Sequence, residues 1–116
     1  KADQPWYVNA VLRACSDLTP DALLAALHAV EVRFGRTRGT ANAARSLDLD
    51  LLDYQGRVSA EGEWPILPHP RMRLRAFVLL PLRDLHPAWR HPQEDVSLEA
   101  LIAALPGGQE IRRLNY

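Results

Sequence analysis

The chain has almost no cysteine and almost no lysine. The single cysteine, Cys15, excludes an internal disulfide framework and a zinc site built on several thiolates. It fits a reducing, cytoplasmic setting. No apolar run is long enough to span a membrane, and no signal-peptide pattern opens the chain. A formal net charge of zero removes any global pull toward nucleic acid or an anionic bilayer. With two phenylalanines in the whole chain, a sheet that stacks RNA bases on exposed aromatics is disfavoured. G-x-x-x-x-G-K-[ST] and the kinase glycine loop are both missing, so any nucleotide site is of another kind. What remains is an ordinary globular composition: 47% of the 116 residues are hydrophobic, enough to build a core in one domain at most.

Lys1 is the only lysine, and every other basic residue is arginine. High-GC coding produces such a bias; so does a need to grip phosphate oxygens with a planar fork. Charge is also segregated. Arg33, Arg36, Arg38 and Arg45 fall in a stretch without acids, Asp48 to Glu63 is acidic apart from Arg57, and Arg71, Arg73 and Arg75 follow. That order suits a polyanion with its metal counterions, or a set of solvated surface charges.

"YVNAVLRAC", 7–15, reads as a strand interrupted by Asn9. In "SDLTPDALLAALHAVEVRFG", Thr19 is a good N-cap, Pro20 suits the first helical position and Asp21 complements the dipole. Leu23, Leu24, Leu27, Val30 and Phe34 fall at helical spacing, which predicts a helix ended by Gly35. His28 and Glu31 lie three apart on its polar side. "RTRGTANAAR", 36–45, is a long basic loop of the kind that carries function. "RSLDLDLLDY" reads as a strand with Leu47, Leu49 and Leu51 toward the core. "YQGRV" is a turn into a short second strand, and the prolines of "EGEWPILPHPRM" impose irregular structure. "RLRAFVLLPLRDL" is compatible with a strand up to Leu80 or with a helix that tolerates Pro81. "HPAWRHPQEDV" is a loop, "SLEALIAAL" a short helix capped by Ser97, and "GGQEIRRLNY" ends as a short strand. The irregular alternation predicts α+β or layered α/β architecture.

Asp48 and Asp50 are the costliest feature. On a strand they point the same way with Cα atoms roughly 6.5–7 Å apart, although like charges repel and Asp is a poor strand former. They pair with nearby arginines at an exposed edge, or they serve as oxygen ligands for Mg²⁺, which takes one or two carboxylates plus phosphates and water. The arginine loop immediately before them favours the second reading, because phosphoryl transfer needs positive charge on spreading negative charge. His69, between prolines, is structural or donates a hydrogen bond to phosphate. Tyr7 and Phe77 are core aromatics by default. Asn9 offers a donor and an acceptor together, which suits a heterocycle edge.

Taken together, "QPWYVNAV", "GRTR…NAARSLDLDLLDY", "LPHPRMRLRAFVLLPL" and "LHP" resemble the 6-hydroxymethyl-7,8-dihydropterin pyrophosphokinases of folate biosynthesis, over nearly the whole chain. The resemblance implies transfer of the terminal diphosphate of ATP to the pterin hydroxymethyl group, leaving AMP, with two Mg²⁺ ions on Asp48 and Asp50. Arg36 and Arg45 match catalytic positions. Glu31, Arg38, Arg45, Leu51, His69 and Arg75 match ATP-binding positions. Tyr7, Asn9 and Phe77 match the pterin pocket. It further implies a ferredoxin-like α+β fold, a mainly antiparallel sheet with helices on both faces, and a cytoplasmic enzyme that is monomeric when complete. Its partners are ATP and the pterin, with no nucleic acid and no membrane. The family's first strand, first helix and second strand normally precede "QPWYVNA", so a chain incomplete at its N-terminus is expected. The alternative is a fragment that binds nucleotide or pterin without turnover.

Overall fold

A computed structural model describes residues 7–35 and 47–114. The chain divides into two compact units, Cys15–Pro70 and Lys1–Ala14 with Arg71–Tyr116.

The first unit contains α1, Pro20–Arg33. Its start follows from the sequence. The Thr19 hydroxyl oxygen accepts from the Ala22 N–H at 3.4 Å, Pro20 fills a position whose N–H has no helical partner, and Asp21 faces the positive end of the dipole. The Thr19 hydroxyl donates to Asp21 at 2.6 Å, and this bond first, with backbone N–H groups of the same turn, holds the Asp21 carboxyl below its ordinary value. The helix ends at Phe34 and at Gly35, whose φ of 127° is open to glycine alone. The expected apolar stripe is only partly covered. Leu23, Leu24 and Leu27 are half-buried, whereas Val30 and Phe34 are exposed, Phe34 by 65%. Spacing says which side of a helix is apolar; the rest of the fold decides whether anything covers it.

Irregular chain lies against α1. The Tyr54 hydroxyl donates to the Leu18 carbonyl. The turn expected at "YQGRV" is present, with positive φ at Gln55 and Gly56. The short strand expected after it is not. Ser59 takes over its role: the hydroxyl donates to the Pro65 carbonyl at 2.6 Å and accepts from the Leu67 N–H at 2.7 Å, while the Ser59 N–H donates to the Leu67 carbonyl at 2.9 Å. Pro65 and Pro68 have no N–H to give a ladder, so one side chain staples what a second strand would have paired.

The second unit holds the better core. A 3₁₀ turn, Met72–Leu74, leads into α2, Ala76–Leu85. The ambiguity of "RLRAFVLLPLRDL" is thus resolved as helix, with Pro81 inside it. An antiparallel pair follows, β1 (Arg90–His91) with β2 (Val96–Ser97), in the register Arg90 opposite Ser97. Helix α3, Leu98–Ala103, begins where the Ser97 hydroxyl accepts from the Ala100 N–H at 3.1 Å. Met72, Leu79 and Leu98 are almost fully buried, with Val78, Leu82, Trp89 and Leu101 around them.

The described residues are therefore α+β, with one two-stranded antiparallel sheet. It lies at "WRHPQEDV", where the sequence suggested only a loop. Among the described residues, 7–15, 47–52 and 107–114 form no strand. Alternating apolar residues fix which face of an extended segment is apolar, but a strand also needs a neighbour to complete its hydrogen bonds, and no described strand pairs with these three. Tyr7, Val8 and Leu12 are correspondingly exposed, Leu12 by 85%. No described helix is long and apolar enough to cross a membrane.

Candidate active site

Among the described residues, five of those nominated, Glu31, Asp48, Asp50, Leu51 and His69, fall in the unit Cys15–Pro70. Glu31 is near the C-terminal end of α1, and although the sequence placed it on a polar, solvated face, it is buried, 8% exposed. Its Oε2 accepts from the Leu49 N–H at 2.6 Å. Leu49 is the residue between the two aspartates, so a buried carboxylate pins the peptide that carries Asp48 and Asp50. Both aspartates are exposed, and Leu51 is half-buried. The His69 N–H donates to the Leu52 carbonyl at 2.8 Å, which ties the proline-flanked histidine to the same segment. Helix α1, residues 48–52 and His69 are thus joined, by the Glu31 carboxylate on one side and by a backbone hydrogen bond on the other.

The segment forms no ladder, and the Glu31 carboxylate and the His69 N–H hold it at Leu49 and Leu52. The negative end of α1, Glu31 and two aspartates gather on one short stretch, an arrangement that cationic groups stabilise. A shallow cavity at the other end of α1, lined by Thr19, Arg57, Trp64 and Pro65 among others, contains none of the nominated residues.

The other unit holds Tyr7, Asn9, Arg75 and Phe77. Tyr7 and Asn9 are exposed, so the default reading of Tyr7 as a core aromatic does not hold. Arg75 and Phe77 stand at the entrance to α2, with the Arg75 guanidinium over the Phe77 ring at 5.4 Å. Phe77 is 36% exposed. A cation on one side of an exposed aromatic adds modestly to its placement. Arg36, Arg38 and Arg45 lie outside the described residues.

Two contributors were not legible in the sequence. The burial of Glu31 had one available sign, a carboxylate flanked by Val30 and Val32, where helical polarity alone suggested solvent. The Leu49 N–H is a backbone group, invisible to any reading by residue type. No described group of three or more His, Cys, Asp or Glu side chains gathers as a metal cage, so the carboxylate pair is the donor set to be judged.

Comparison with known proteins gives the same direction as the residues. The model of the 7,8-dihydro-6-hydroxymethylpterin-pyrophosphokinase family matches residues 1–87. A 2-amino-4-hydroxy-6-hydroxymethyldihydropteridine pyrophosphokinase of Pseudomonas aeruginosa is 43% identical over 105 residues, 90% of this chain and 64% of that protein. The protein of the same name from Synechocystis is 39% identical over 99 residues, 85% of this chain and 50% of its own length. One from Methylorubrum extorquens is 38% identical over 108 residues, 93% of this chain and 67% of its own. The chain thus spans between half and two thirds of the length of these curated relatives. Matched over three quarters of its residues, the chain belongs to the 7,8-dihydro-6-hydroxymethylpterin-pyrophosphokinase family.

Proposed function

We propose that residues 1–116 act as a single Mg²⁺-dependent pyrophosphokinase domain, cytoplasmic and monomeric when complete, that transfers diphosphate from ATP to 6-hydroxymethyl-7,8-dihydropterin and releases AMP. The observation that carries the reading is the pair of exposed carboxylates, Asp48 and Asp50, pinned through Leu49 to buried Glu31 in a chain of this family. The names of the relatives supply the substrate. The same reading carries the ferredoxin-like arrangement of sheet and helices for the domain.

The donor set fits Mg²⁺: two hard carboxylates flank one peptide, and this ion is satisfied by one or two carboxylates with phosphates and water. Bound at Asp48 and Asp50, two such ions would neutralise phosphate oxygens and orient the β-phosphorus for in-line attack. The protein's share is positioning and charge. Glu31 belongs to the ATP side and fixes the aspartate backbone. Leu51 offers an apolar contact to adenine, while Arg38, Arg75 and His69 hold phosphate oxygens. Arg36 and Arg45 take the catalytic role of meeting the charge that spreads in the transition state. Phe77 and Tyr7 supply ring faces for the pterin, and the Asn9 amide reads its edge. The hydroxymethyl oxygen bonds to the β-phosphorus and loses its proton to water as that phosphorus parts from the oxygen that leaves with AMP.

The test is AMP release by this chain with ATP, Mg²⁺ and the reduced hydroxymethylpterin. AMP formation that requires the pterin and is abolished in Asp50→Ala is the expected result. Retained turnover of Asp50→Ala in excess Mg²⁺ would overturn the metal role. ATP binding without AMP would favour the reading in which the chain binds and does not react.

A further inference from the structure

Arg75 and Phe77 sit where α2 begins, and that beginning lacks a local cap. Arg75 occupies the N-cap position and its side chain makes no capping hydrogen bond. The first N–H groups of a helix have no partner within the helix, and Ala76, which carries one of them, is only 5% exposed. An unmet donor in that place is costly.

The partner comes from 33 residues downstream. The Gln109 Oε1 accepts from the Ala76 N–H at 2.8 Å. The Nε2 of the same side chain donates to the Leu74 carbonyl at 2.9 Å and to the Pro106 carbonyl at 3.3 Å. One amide therefore grips the backbone on both sides of Arg75. The chain reaches this place through Gly108, whose φ of 84° disfavours any residue with a Cβ. Gln109 lies beyond the residues matched by the family model.

We propose that Gln109 is a positioning residue for the nucleotide and pterin groups, fixing the peptides on either side of Arg75 so that its guanidinium and the Phe77 ring are presented together. The role rests on the function proposed above. It needs both halves of a primary amide. A carboxylate could still accept from Ala76, but its second oxygen would face the Leu74 and Pro106 carbonyls, acceptor against acceptor. Alanine removes both contacts. Because Arg75 lies over Phe77, a loosened backbone disturbs the phosphate cation and the ring platform at once.

The experiment compares this chain with its Gln109→Ala, Gln109→Glu, Arg75→Ala and Gln109→Ala/Arg75→Ala variants. Amide hydrogen exchange at Ala76, ATP affinity and AMP release are read for each. Exchange at Ala76 is expected to rise about tenfold in Gln109→Ala, the equivalent of one lost hydrogen bond. ATP affinity is expected to fall about tenfold in Gln109→Ala and Gln109→Glu alike, and to fall no further when Gln109→Ala is added to Arg75→Ala, because the two act as one unit. Unchanged exchange at Ala76 overturns the clamp itself. Faster exchange with wild-type ATP affinity, or losses that multiply in the double variant, overturns the positioning role and leaves a helix cap. If the unaltered chain neither binds ATP nor releases AMP, the proposed function fails and this role with it, while the exchange result still reports on the clamp.

Discussion

Glu31→Ala removes the only acceptor described for the Leu49 N–H, and its size can be worked from the contact. The bond is 2.6 Å and charge-assisted, and Glu31 is 8% exposed. Hydrogen bonds to charged groups contribute about 1.5–3 kcal/mol net. Against that stands the desolvation of a buried carboxylate, a cost that alanine relieves. The first effect wins because the truncation also strands a part-buried donor, and the expected net loss is about 1–2 kcal/mol. For a chain of this length that lowers Tm by about 4–8 °C. Urea unfolding should show a lower midpoint at unchanged m. Glu31→Gln keeps an acceptor oxygen without the charge and should lose about half as much. A stability measurement alone cannot distinguish a strut from a site residue, so two further readouts are attached. Exchange at the Leu49 amide should accelerate about tenfold, and Mn²⁺, used as a spectroscopic stand-in for Mg²⁺, should bind about tenfold more weakly as the carboxylates lose their fixed spacing. A Glu31→Ala protein with the wild-type midpoint and unchanged Leu49 exchange would refute the pinning argument.

Leu79→Ala should cost about 2–5 kcal/mol, because Leu79 has no exposed surface; a loss below about 1 kcal/mol would mean that α2 does not pack as described. Glu94 is hydrogen-bonded to Arg73, and that bond first, then the attraction of the guanidinium, holds its carboxyl below the ordinary 4.5. A carboxyl depressed in the folded state stabilises fully above its unfolded pKa and loses that contribution as pH falls through the folded value. The window therefore lies below 4.5, and Arg73→Ala should move the NMR titration of Glu94 back up toward that value. No movement would show that the pair does not form in solution.

What the sequence could reveal divides along a physical line. Local signals were legible because they act within a few residues. Thr19, Pro20 and Asp21 specify the start of α1, Ser97 specifies α3, and "YQGRV" specifies a turn whose positive φ values are found at Gln55 and Gly56. Long-range pairing was not legible. The alternation in "YVNAVLRAC" and "SLDLDLL" gives a face and no neighbour, and no described strand flanks either. The hairpin at Arg90–Ser97 escaped notice because two residues per strand leave no period to count, although Asp95, at a φ of 54°, is a residue that tolerates such a turn. For the candidate site, residue types and order singled out Asp48, Asp50 and His69, while Arg75 and Phe77 were nominated only through the family resemblance. The order could not show that Glu31 is buried, nor that a glutamine far down the chain closes on Ala76.

The two segments share a construction that suits the proposed function. Asp48-Leu49-Asp50 and Leu74-Arg75-Ala76 each carry charged side chains outside any sheet, the first on irregular chain and the second at the junction of the 3₁₀ turn and α2, and each is held at the backbone by a side chain distant in sequence, Glu31 in one case and Gln109 in the other. A sheet ladder would fix such backbone through many bonds, at the cost of placing every second side chain against a neighbouring strand. A single carboxylate or amide fixes one or two peptides without laying a strand alongside the segment. The choice of group matches what each segment carries. Beside the aspartates a carboxylate adds to the negative potential that a cation must answer. Beside Arg75 the holder is a neutral amide, so the guanidinium gains no fixed counter-ion from its own support that would compete with phosphate. Under the proposed function, exchanging the two holders should therefore harm both segments: Glu31→Gln lowers the attraction for cations at Asp48 and Asp50, and Gln109→Glu sets a negative charge beside the arginine proposed to hold phosphate. This asymmetry of charge is what the proposed phosphate-handling role asks of the two supports, and a role in folding alone does not ask it.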